Sequence, residues 1–86
     1  MKALLLFTKG TENERTAVKM ADELTVLRVE SELIDLDSPN GAAMRELYQV
    51  MGEWALMLAR DDGSLVEAWQ EYWPGAIEIS YRYHLG

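Results

Sequence analysis

Ala3-Leu4-Leu5-Leu6-Phe7-Thr8-Lys9-Gly10-Thr11-Glu12-Asn13-Glu14 is the stretch on which the fold turns. Five consecutive apolar residues leave no wet face, so residues 3–7 read as a central strand covered on both sides. Thr11 with Glu14 three residues later has the form of a capping box, in which each side chain satisfies an orphan backbone donor, and a helix is predicted to begin there. Ala17, Val18, Met20, Ala21, Leu24 and Leu27 then recur at steps of three and four, with Glu12, Arg15, Lys19, Asp22 and Glu23 mostly opposite. No glycine marks the far end of this helix before Glu30-Ser31. The apolar run after Lys2 is too short for a signal-peptide core or a membrane span, which favours the strand.

Outward from this unit, residues 32–36 read as a second strand with apolar positions at Leu33, Ile34 and Leu36. Asp37-Ser38-Pro39 has the form of a cap followed by proline in the first helical turn. The second helix is expected to bury Ala43, Leu47, Val50 and Met51 and to end at Gly52, where a left-handed residue is wanted. Residues 54–59 and 65–69 are strand-like and flank Arg60-Asp61-Asp62-Gly63-Ser64, whose Asp-Gly step is the strongest hairpin signal in the chain. In residues 74–86, Ile77, Ile79, Tyr81, Tyr83 and Leu85 alternate as a strand would, while Pro74 could equally open a helix.

The chain has 86 residues, enough for one domain over residues 1–86 with a thin core. At 49% hydrophobic and 27% charged it falls outside the disordered, collagenous and low-complexity classes. Eight Lys+Arg against 15 Asp+Glu give a formal charge of −7, which repels phosphate backbones and anionic lipid, so neither nucleic acid nor a membrane surface is expected as a partner. Cysteine is absent, which removes disulfides, thiolate metal ligands and thiol nucleophiles. The expected location is the cytoplasm.

Strand, helix, strand, helix and an antiparallel hairpin in that order resemble the thioredoxin and glutaredoxin fold reduced to its core. Residues 6–14 are similar to the glutaredoxin stretch in which an aromatic residue, Ser or Thr, and Lys lead into Cys-x-x-Cys at a helix start. Residues 50–58 resemble the segment carrying the family's cis-proline into its third strand, and Asp61-Asp62-Gly63-Ser64-Leu65-Val66 resembles the turn after it. The resemblance implies an α/β fold with a four-stranded mixed sheet in the order 2-1-3-4 and two or three helices. It also implies that Trp73-Pro74 leads into a last helix, against the period-2 alternation of the tail. A ferredoxin-like split βαβ arrangement is the alternative. In this likeness Thr11 and Glu14 stand at the two cysteine positions and Trp54 at the cis-proline position, so every defining redox residue of the family is replaced.

Thiol-disulfide exchange needs a thiolate, and no residue here supplies one. The remaining ligand-binding candidates are Thr11, Glu14 and Trp54. A helix start with a hydroxyl can hold an anion or polarise a bound thiol, as some glutathione transferase-like domains do with Ser or Tyr. Against this, Thr11 and Glu14 are complete as a capping pair, and Glu12 and Glu14 place negative charge where an anion would bind. A non-proline cis bond before Trp54 would cost about 3 kcal/mol, so a trans peptide is expected there. Asp35, Asp37, Asp61 and Asp62 have cap and turn spacing rather than that of a calcium loop, and His84 has no evident catalytic partner, so no metal and no cofactor are expected. Trp69, Tyr72, Trp73, Tyr81 and Tyr83 crowd the C-terminal third and are candidates for an interface with a protein partner or a second copy of the chain. The expected function is a non-catalytic binding or assembly module, the alternative a glutathione-type small-ligand enzyme using Thr11.

Overall fold

The structure, a computed structural model, describes residues Met1–Gly86. Its elements are β1 (Lys2–Phe7), α1 (Glu12–Val26), β2 (Ser31–Asp35), α2 (Pro39–Tyr48), β3 (Trp54–Ala59), β4 (Leu65–Trp69) and α3 (Ala76–Leu85). They build one mixed sheet in the order β2-β1-β3-β4. β1 runs parallel to β2 and antiparallel to β3, and β4 completes an antiparallel hairpin with β3. Helices separate β1 from β2 and β2 from β3, and the sheet ends on consecutive hairpin strands. This excludes the ferredoxin-like alternative, whose order is βαββαβ.

The continuous apolar run of β1 is explained by helices on both sheet faces. Ala3, Leu5 and Phe7 pack with Ala17, Met20 and Leu24 of α1 and with Ile79 of α3. Leu4 and Leu6 point the other way, into a second cluster with Ile34, Val50 and Met57 that Met44 and Tyr48 of α2 cover. Successive strand side chains alternate between faces, so a strand with a core on each side has no position left for a polar residue.

α1 buries Ala17, Met20 and Leu24 as expected, but Val18 is exposed. Its end is made by Arg28, which takes a left-handed φ of 61° in place of the glycine the sequence lacks there. α2 starts as read: Ser38 Oγ accepts the N–H of Gly41 at 3.0 Å, with Pro39 in the first turn. Its buried face is not the one expected, however. Of the four residues expected to be buried only Val50 is, Ala43, Leu47 and Met51 are exposed, and the helix rests on Gly41, Met44 and Tyr48. Gly41 decides this, because a β-carbon there would overlap the Asp35 carbonyl, so its lack of a side chain fixes which side of the helix faces the end of β2. The left-handed terminal residue is Gln49, φ 55°, not Gly52.

The hairpin turns where expected, with Gly63 at φ 90° and Asp62 accepting from Ser64 N and Oγ at 2.9 and 2.7 Å. Those two hydrogen bonds hold the Asp62 carboxyl below the usual carboxylate range. The tail is helical. Ile79 is fully buried while Ala76 and Tyr83, one turn to either side, pack on the same core.

Candidate functional site

The register Phe7↔Trp54 brings the outgoing end of β1 beside the incoming end of β3, so the β1–α1 turn and the chain before β3 meet at one end of the sheet. Gly10, at φ 84°, lets the turn reverse into α1. Thr8 Oγ1 donates to the Glu53 carbonyl at 2.8 Å, tying the two segments together. Thr11 Oγ1 donates to the Thr8 carbonyl at 2.6 Å, and the Thr11 N–H reaches the same oxygen at 3.3 Å.

The capping box therefore does not form as read. Thr11 is the N-cap by backbone geometry, but its side chain makes no capping bond. Because its own N–H is already taken within the Thr8–Thr11 turn, Glu14 reaches one residue further back and accepts from Gly10 N at 2.8 Å. The turn is thus tied from within, and carboxylates of Glu12 and Glu14 sit in the first turn of the helix, where an anion would otherwise gain.

Over this turn lies an aromatic pair. Trp54 and Trp73 stack with ring centroids 4.1 Å apart and planes 16° from parallel. Trp73 Nε1 donates to Asn13 Oδ1 at 3.4 Å, which pins the pair to the first turn of α1. Both indoles are half-buried against the α1–α3 core, and the peptide before Trp54 is trans. Thr11, Glu14 and Trp54 thus lie at one end of the sheet, as the sequence suggested. Thr8, Asn13, Glu53 and Trp73 join them there unannounced, since no local pattern pairs residues 60 apart.

The five aromatic residues expected at an interface do not share one surface. Trp69 is 6% exposed and belongs to the core with Leu56 and Ile79, because β4 turns it to the face that α3 covers. Trp73 is engaged with Trp54, and Tyr83 packs against the same core. Only Tyr72 and Tyr81 remain well exposed. His84 is exposed yet anchored: its Nε2 lies 3.1 Å from the Leu27 carbonyl, and its ring meets Tyr83 edge-on. Asp61 pairs with the N-terminal ammonium at 2.9 Å, and Asp35 accepts from Asp37 N, so the aspartates serve turns and an end group. No three His, Asp or Glu side chains gather as a metal site would require.

An open groove runs from Gly10 and Thr11 at this end along α1, past Glu12, Glu14, Arg15, Lys19 and Asp22, with Val18 its single apolar side chain. Small-molecule sites are mostly apolar with few polar groups, whereas this groove is lined almost wholly by polar and charged residues. No helix is long and apolar enough to cross a membrane. Comparison of the chain with protein-family models, with curated proteins and with solved structures finds no match.

Proposed function

We propose that the chain is a thioredoxin-like binding or assembly module that performs no thiol chemistry. The order of elements and the sheet order 2-1-3-4 support the thioredoxin-like part, and the absence of any cysteine supports the rest. The observation that carries the reading is the closure of the sheet end. The Glu53 carbonyl, the backbone acceptor a bound peptide would pair with just before β3, is taken by the Thr8 hydroxyl, and the Trp54–Trp73 stack lies beside it. Thr11, the residue a glutathione-type enzyme would use to hold a thiolate, gives its hydroxyl proton to Thr8 instead. A ligand there would have to break two internal hydrogen bonds, each worth about 1 kcal/mol net.

Amide-resolved NMR titration with reduced glutathione tests this. The expected result is that Gly10, Thr11, Glu53 and Trp54 keep their shifts up to about 10 mM ligand, a concentration at which even a millimolar Kd is close to saturation. Saturable movement of Thr11 and Glu53 together would restore the small-ligand enzyme and overturn the module.

A further inference from the structure

α3 has two unlike faces. Ile79 is fully buried, and Ala76 and Tyr83 pack against the core. On the opposite side Ile77, Tyr81 and Leu85 are 77%, 66% and 69% exposed. Four-residue steps place them in one ridge along the helix. Val26, 80% exposed at the end of α1, adjoins Ile77 in a shallow depression shared with Leu27 and Ala76, so the apolar surface continues from α3 onto α1. Contiguous apolar surface of this kind marks an interaction face.

We propose that this ridge is where two copies of the chain pair, their α3 helices antiparallel about a two-fold axis at Tyr81. The charges beside the ridge single out a second copy as the occupant. Glu78 and Arg82 lie one turn apart on the same flank. A two-fold axis perpendicular to the helices sets that flank against its own copy. With a rise of 1.5 Å per residue, Glu78 lies about 4.5 Å to one side of the axis and the partner's Arg82 about 1.5 Å to the same side, an axial offset of about 3 Å. Two symmetric ion pairs follow. The two Arg82 side chains lie about 3 Å apart along the axis as well, each between its own Glu67 and the partner's Glu78, and on the other flank Ser80 meets the partner's His84 at the same offset. Along the ridge Ile77 faces the partner's Leu85, and the two Tyr81 rings meet at the axis.

Glu78 makes no ion pair within its own chain. Arg82 donates through Nη1 to Glu67 at 3.1 Å, and a guanidinium with five N–H donors has others left for a second carboxylate. A second copy would supply the partner for the assembly reading above, on which the functional meaning of the pairing rests. A ten-residue helix with one neighbouring side chain falls in the small class of interface, so the dimer is a weak one, with Kd on the order of 10–100 μM.

Sedimentation equilibrium of the full chain between about 10 μM and about 1 mM should show a monomer–dimer equilibrium in the wild type. Tyr81→Arg, which alters only an exposed side chain, should weaken it at least about tenfold while the circular dichroism stays unchanged. Glu78→Arg alone opposes two arginines, and Arg82→Glu alone opposes two glutamates, so each is monomeric. An equimolar mixture of those two variants restores both pairs and dimerises. A wild type that remains monomeric at about 1 mM, or a mixture no more associated than its components, overturns the pairing and leaves the ridge to a different protein. Glutathione binding at Thr11 with dimerisation intact would overturn the module instead, so the two failures are distinct.

Discussion

Gly41→Ala lowers stability by about 3 kcal/mol or more, most of what so small a domain possesses. A β-carbon at this position would overlap the Asp35 carbonyl oxygen and come within 2.7 Å of Leu36 Cα. Those are backbone atoms, and no rotamer change relieves them. The Asp35 carbonyl is also fixed from two other directions, by Ser38 N at 3.0 Å and Ser38 Oγ at 2.6 Å, so the turn cannot swing aside without losing the cap of α2. The helix must lift from the sheet, uncovering Ile34, Val50 and Met57. Urea unfolding followed by circular dichroism measures the loss, with Gly52→Ala as control, since nothing lies within 4 Å of a β-carbon there. Equal midpoints for the two variants would contradict the close packing of α2 on the end of β2.

Leu5→Ala costs about 3 kcal/mol, within the usual 2–5 kcal/mol for truncating a fully buried leucine. Leu5 sits between Leu33 and Leu56 in the sheet, is 0% exposed, and lies under α1 and α3. No neighbour can collapse into the space, because β1 is held by strands on both sides and cannot shift. Leu47→Ala, also a leucine in a regular element but 70% exposed, changes stability by less than about 0.5 kcal/mol. The same unfolding experiment on both variants separates the observed α2 face from the one its apolar spacing suggested. A large loss at Leu47 would show that the helix is turned as the sequence implied.

What was legible in the sequence follows from how local each signal is. β1 announces itself because burial on both faces removes every polar residue from the run, and the β3–β4 hairpin because only certain residues fit its left-handed turn at Gly63. The α2 face is not legible because its decisive residue is a glycine, which carries no hydrophobic signal and acts through the close approach its missing β-carbon permits. In the tail, Ile77, Ile79, Tyr81, Tyr83 and Leu85 satisfy a strand's period, yet only Ile79 is buried and Tyr83 half-buried. The other three form the outer ridge of a helix, so apolar residues on two faces imitated an alternation. The likeness to thioredoxin-type chains pointed to the helix where periodicity did not.

At the candidate site, Thr11 and Glu14 are legible because cap residues sit at fixed short spacing, although Glu14 accepts one residue further back than expected and Thr11 donates to Thr8 instead of capping the helix. Nothing in the sequence links Trp54 to Trp73. Their pairing depends on the segment between β4 and α3 crossing back to the start of α1, a tertiary event without a local signature. Once stacked and pinned to Asn13, they occupy the ground where the resemblance would place a reactive site.

Closure of that end of the sheet is most directly tested by NMR contacts between the two indoles together with exchange of the Trp73 Nε1 proton. Ring-to-ring nuclear Overhauser contacts between Trp54 and Trp73, with a Trp73 indole proton slowed in exchange by Asn13 Oδ1, are the predicted result. Indoles without mutual contacts and a freely exchanging Trp73 proton would contradict it, since the sheet end would then be open to a ligand.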